Sequence, residues 1–311
     1  MKTDLRRLAI YIIEPLLGKS KKLDHKSIVL IFVGLALAVF VASLDETIVA
    51  TAAVSIVSQY KAFHLYSWIS VSYLVCLNAA QPLYGKLSTV FGRRPAVLFG
   101  LTVFLAGSVG CAWAPNIQLF LVSRCAAGVG AGGMTNMAFI IVSDIFPLKE
   151  RPKYQSILMS SFGAANVCGP VLGGVITKMM GWRWCFIINI PICLVTFLAV
   201  GIFLRLPRPE GQLNASIRHV DFAGAFTLVA SVVGFMIPMT LGGDYFAWNS
   251  PAIYAMLSTA VISLVSFFLI EKYVAVDPIV PLRLLKNRSL VGAWLTLFFY
   301  GMVFFSMMYY L

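Results

Sequence analysis

The stretch Gly163-Ala-Ala-Asn-Val-Cys-Gly-Pro-Val-Leu-Gly-Gly174 lies inside an otherwise oily segment. Glycine weakens a helix and proline removes a rung of its hydrogen-bond ladder, yet four glycines and a proline fall within these twelve residues. Gly169 and Gly173 form a small-xxx-small pair that Ala165 extends backward, so one helical face is almost free of side-chain volume. Pro170 cannot donate to the carbonyl of Asn166, which predicts a local bend and a free acceptor. Generic helix packing accounts for the small residues alone. The proline set among them favours a bent, gate-forming element pressed against a neighbouring membrane helix.

The surrounding composition requires a membrane. Of 311 residues, 60% are hydrophobic and 12% charged, and the mean hydropathy is +0.89. A soluble core of this length cannot hide so much apolar surface, so the bilayer must act as solvent. In lipid, backbone groups need internal partners, which leaves helices or closed barrels. The apolar runs are about 20 residues long without alternation, and they therefore read as helices. Nine spans are predicted, at 28–57, 66–88, 96–114, 117–143, 156–180, 183–204, 221–241, 252–270 and 290–311.

The formal charge of +12 is divided among short connectors, which argues against a nucleic-acid face. Of 24 Lys and Arg residues, 20 fall in residues 1–27, 85–95, 146–155, 205–220 and 271–289. The opposite side holds only Lys61, Lys178 and Arg183. This asymmetry predicts a cytosolic N-terminus. The sequons at Asn214 and Asn287 then lie in the cytosol and are expected to be bare. The six cysteines fall in or at the ends of spans, match no metal spacing, and read as small packing residues.

Three further features carry candidate chemistry. Asp45 and Glu46 sit in the middle of the first span. A charge at that depth costs about 2.5–3.5 kcal/mol on insertion scales, so a partner or a task is implied. Glu46 points about 100° away from Asp45, and Asp45 is the stronger candidate for a protonatable carboxylate lining a polar cavity. A plain structural hydrogen bond to a neighbouring helix is the alternative. Arg124 lies inside the fourth span, about 12 Å below its outer end, and Asp45 about 16 Å below the outer end of its own helix. The two depths agree within one turn, which predicts an Asp45–Arg124 interaction, either a switch or a static ion pair. Arg124, Gly128 and Gly132 share one face and should let another backbone approach closely. Finally, Gly85-Lys-Leu-Ser-Thr-Val-Phe-Gly-Arg-Arg-Pro95 reads as a tight connector in which Gly85 and Gly92 make the turn. Lys86, Arg93 and Arg94 anchor it on the cytosolic side.

Taken in chain order, the four features resemble the major facilitator superfamily, and more narrowly its fourteen-helix drug:proton antiporter branch. LDETIVATAAV is similar to that branch's first-helix motif, and GKLSTVFGRRP to the loop between helices two and three. LVSRCAAGVGAGG is similar to the fourth-helix basic motif, and GAANVCGPVLGG to the fifth-helix antiporter motif. The phrases QPLYGKL, SDIFPLKERPKYQ, WRWCFIINIPI and VDPIVPLRLLKNRS resemble fungal members, among them vacuolar basic amino acid transporters and multidrug exporters. Two positions depart from the pattern: Thr89 stands where the loop motif has aspartate, and Val54 where the first-helix motif has proline.

The resemblance implies an all-α polytopic membrane protein. Its parts would be a cytosolic segment 1–27, a six-helix bundle 28–204, a linker 205–220, two additional helices 221–270 and a second linker 271–289. Residues 290–311 would be the first helix of a second bundle, so the chain is expected to be C-terminally truncated. It implies a proton-coupled antiporter that moves basic amino acids or amphipathic organic cations and drugs out of the cytosol, across the vacuolar or plasma membrane. Asp45 and Arg124 would couple protons, and Gly163, Asn166, Gly169, Pro170, Gly173 and Gly174 would form the antiporter motif. No cofactor beyond the proton gradient and no metal is expected. The partners are a small-molecule substrate and the bilayer, with pairing to another transporter chain if the truncation is real. The alternative is a non-transporting relic or a regulatory partner of a full-length transporter. An enzyme is not expected, because no nucleophile, metal cluster or histidine pair converges, and His25, His64 and His219 all fall in predicted loops.

Overall fold

The computed structural model describes residues 25–204, 221–243, 245–274 and 286–310. The expected linker 205–220, most of the linker 271–289 and nearly all of the N-terminal segment 1–27 lie outside the described residues. The described chain is built from helices α1 (His25–Tyr60), α2 (Tyr66–Phe91), α3 (Arg93–Trp113), α4 (Ile117–Ile145) and α5 (Arg151–Met179). These are followed by α6 (Trp184–Ile187), α7 (Asn189–Phe203), α8 (Phe222–Leu241), α9 (Pro251–Tyr273) and α10 (Arg288–Tyr310).

Several helices begin where the sequence supplies a cap. The Asn116 side chain accepts from Leu119 N at 2.8 Å ahead of α4. Asp221 accepts from Gly224 N at 2.8 Å ahead of α8, and Ser250 precedes Pro251 at the start of α9. Each satisfies a donor that has no intrahelical partner.

Among the described residues, seven helices are long and apolar enough to cross a bilayer: α1, α3, α4, α5, the joined run Trp184–Phe203, α8 and α9. The 26-residue α2 is not one of them. Its Ser67, Ser70, Ser72, Asn78 and Gln81 lower its hydropathy, and it packs against α4 and α8. The sixth expected span is divided at Ile188. Pro191 has no N–H to offer the carbonyl four residues earlier, so α6 ends and α7 starts afresh at Asn189.

Buried apolar residues form two clusters. One gathers Ile31 to Ala42 of α1 with Tyr73, Phe104, Met134, Ile141 and Val200. The other gathers Ile48 to Val57 of α1 with Ile69, Phe120, Trp182 and Phe186. Asp45 falls on α1 between them.

The turn between α2 and α3 differs from expectation. Gly85 does not belong to it, because α2 continues as helix to Phe91. A single residue, Gly92, makes the reversal at φ 97° and ψ 162°, a region open in practice to glycine only. Gly92→Ala is therefore expected to lower stability by about 1–3 kcal/mol, read as a lower melting temperature in detergent. An unchanged melt would show that the backbone can relax there.

Candidate functional site

Asp45 and Arg124 meet as their depths predicted. Arg124 Nη1 donates to Asp45 Oδ2 at 2.5 Å, and the two side chains are 1% and 0% exposed. The second carboxylate oxygen is also satisfied, since Asn189 Nδ2 donates to Asp45 Oδ1 at 2.7 Å. The rest of the guanidinium is enclosed. Its Nε donates to the Ile69 carbonyl at 3.4 Å, and its Cζ lies 4.2 Å from the Tyr73 ring centroid and 5.8 Å from that of Phe186. Tyr73 is itself fixed by a 2.8 Å hydrogen bond from its hydroxyl to the Ala42 carbonyl. A buried ion pair is supported when donors and lone pairs beyond the pair itself also find partners, as Arg124 Nε and Asp45 Oδ1 do here.

The helices reach one another because α4 is thin along this face. Arg124, Gly128 and Gly132 lie against Ile69, Tyr73 and Leu77 of α2. A Cβ on Gly128 would strike the Tyr73 carbonyl, and one on Gly132 would strike that of Leu77. Glycine here lets the α2 backbone come close enough for Arg124 to use the Ile69 carbonyl.

The antiporter-like segment divides by face. Gly169 and Gly173 lie on α1: a Cβ at Gly169 would meet Thr47, and one at Gly173 would meet Thr51 and, at 2.6 Å, the Ile48 carbonyl. Thr47, two residues from Asp45, donates to the Ala165 carbonyl at 3.3 Å. Asn166 is buried on the same side. Gly163 and Gly174 face open space, and Pro170 is exposed. Pro170 does not interrupt α5, which runs on to Met179.

The loop-motif residues are spread over two helices. Arg93 Nε donates to Asp144 Oδ2 at 2.8 Å and Nη1 to Ser88 Oγ at 2.5 Å, tying the start of α3 to the end of α4. Arg94 donates to the Gly201 carbonyl. Gly85 sits near Asn136 of α4. The Lys86 carbonyl accepts from the Thr89 hydroxyl at 2.7 Å, so the residue at the aspartate position is bonded to its own helix. The contacts of Gly85, Arg93 and Arg94 thus lie with Asn136, Ser88, Asp144 and Gly201 rather than with the Asp45 cluster.

Asn189, Tyr73, Phe186 and Asp144 escaped the sequence reading. For Asn189 a signal existed: a lone amide in the apolar run Ile187-Ile-Asn-Ile-Pro191, two residues before the proline that restarts the helix.

Arg124→Met should strand a buried carboxylate and destabilise the protein by about 3–5 kcal/mol. Adding Asp45→Asn should restore much of that loss in thermal unfolding. A double variant as unstable as the sum of the single ones would show that the two groups do not act as a pair.

The sequence and the fold have known counterparts. The efflux pump dotC of Dothistroma septosporum (strain NZE10) is 34% identical over 284 residues, covering 91% of this chain and 49% of that protein. Multidrug resistance protein 3 of Bacillus subtilis is 35% identical over 285 residues, 92% of this chain and 54% of that one. Multidrug resistance protein fnx1 of Schizosaccharomyces pombe is 35% identical over 271 residues, 87% of this chain and 51% of that one. The chain thus spans about half the length of these curated relatives, and bacterial and fungal ones match alike. The solved structure of the proton:xylose symporter XylE bound to 6-bromo-6-deoxy-D-glucose shares the fold, with a TM-score of 0.50 at 16% identity over 76% of this chain and 53% of that one. The Major Facilitator Superfamily model matches residues 35–311, and the chain belongs to that family.

Proposed function

We propose that this chain supplies the proton-coupling half of a membrane exporter that exchanges protons for an organic cation, a basic amino acid or an amphipathic drug, and carries it out of the cytosol. The observation that carries this reading is the enclosed Asp45–Arg124 pair with its second donor, Asn189. The names of the relatives, efflux pump and multidrug resistance protein, support export as the direction.

Charge balance explains how the pair couples two fluxes. With Asp45 ionised the pair is neutral overall, and a cation can be drawn to the adjacent carboxylates, Asp45 and the half-buried Glu46. A proton on Asp45 leaves Arg124 as an uncompensated positive charge, which disfavours a second cation nearby. Proton and cation therefore exclude one another, as antiport requires. The freed guanidinium keeps the Ile69 carbonyl and the Tyr73 and Phe186 faces as partners, so release from Asp45 does not leave it unsupported.

The α5 motif would restrict leakage. Gly169 and Gly173 close α5 onto α1 at Thr47, Ile48 and Thr51, within two turns of Asp45, where side-chain bulk would hold the helices apart and admit water. Further helices beyond this chain would provide the opposing wall of the pathway, in the manner of transporters that rock two halves about a central site. The cytosolic N-terminus and the choice between vacuolar and plasma membrane belong to the same proposal.

Flux into membrane vesicles with an imposed pH gradient tests it. The wild-type protein should accumulate a basic amino acid or cationic drug only when the gradient is present, and Asp45→Asn should reduce gradient-driven flux to background while the protein stays in the membrane. Undiminished gradient-driven flux in Asp45→Asn would refute the assignment.

A further inference from the structure

We infer that Asn189 is a hydrogen-bond toggle that follows the protonation state of Asp45, a positioning role that rests on the proton-coupling reading above. Asp45 Oδ1 accepts from Asn189 Nδ2, while Asn189 Oδ1 has no hydrogen-bond partner although the residue is 0% exposed. An acceptor buried without a partner is uncommon in a folded protein and asks for a reason.

The donor and acceptor inventory supplies one. An ionised carboxylate only accepts, so the amide must present its NH2 group. A protonated carboxyl has an O–H to donate, and on Oδ1 that hydrogen would face the amide hydrogens directly. Arg124 cannot resolve the conflict, because a guanidinium has donors only. Asn189 can: a half-turn of its terminal amide presents Oδ1 to the new O–H. The half-turn breaks no existing bond of Oδ1, since it has none.

The other titratable or charged groups that face Asp45 cannot do this work. Glu46 neighbours it on α1 but projects about 100° away around the helix, and Tyr73 lies beside it on α2. Arg124 meets it from α4, and Cys111 on α3, Cys185 on α6 and Cys193 on α7 lie within electrostatic range of it, the first two turned to the Phe120 carbonyl and the Thr177 hydroxyl. The face that α5 turns to α1 carries Ala165, Asn166, Gly169 and Gly173, none of which titrates. The thiols and the phenol ordinarily keep their protons at neutral pH, and the Tyr73 hydroxyl is already committed to Ala42. The break at Ile188 matters here, because it places Asn189 in the first turn of α7 at the level of Asp45.

Difference infrared spectroscopy of the complete protein in liposomes, scanned from neutral to acid pH, tests the toggle. Asp45→Ser identifies the acid band, and Asn189→Leu or, should that fail to fold, Asn189→Ser identifies the side-chain amide band. The expected result is an Asp45-dependent carboxylic acid band that appears together with a shift of the Asn189 amide band, at one common midpoint. An acid band without an amide shift would overturn the toggle and leave the proton-coupling reading standing. Absence of any Asp45-dependent acid band over the whole range would overturn both.

Discussion

A carboxylate and a guanidinium that share almost no contact with solvent constrain everything around them. Neither charge is tolerable alone at that depth, and their attraction offsets desolvation only if every remaining donor and lone pair is also met. Asp45 has two oxygens and uses both, one on Arg124 and one on Asn189. Arg124 spreads its remaining contacts over the Ile69 carbonyl and two aromatic rings. Four elements, α1, α2, α4 and α7, are thereby fixed at one level, with α6 contributing Phe186.

Packing around this polar layer follows from the solvent. Lipid tails give apolar helices little reason to prefer one another, so close approach of backbones has to supply the specificity. Glycines on α4 admit α2, and glycines on α5 admit α1. The two apolar clusters above and below the layer exclude water from it and raise the strength of each polar contact inside.

The opposite face of α5 tells a different story. Val167, Val171 and Val175 are exposed, at 73%, 64% and 50%, beside Pro170. Small residues press inward on α1 while valines and the proline look outward. The same helix thus packs small residues against α1 on one side and presents an apolar surface on the other.

The sequence by itself determined the membrane class, the run of helices, the membership of Asp45 and Arg124 in one layer, and the glycine faces. Hydropathy, helical rise and side-chain volume are local quantities, and a buried charge advertises itself by being out of place. It misjudged Gly85, since a glycine in a connector-like phrase carries no mark that distinguishes a turn from a helix interior. It passed over Asn189, Tyr73 and Asp144, because an amide, a phenol or an acid near a helix end gains meaning only from what lies across from it. Whether a hydrogen bond forms depends on ångström-scale distance and direction between segments up to 144 residues apart. Only the folded chain, with α7 restarted after Ile188, decided that the amide would end beside Asp45.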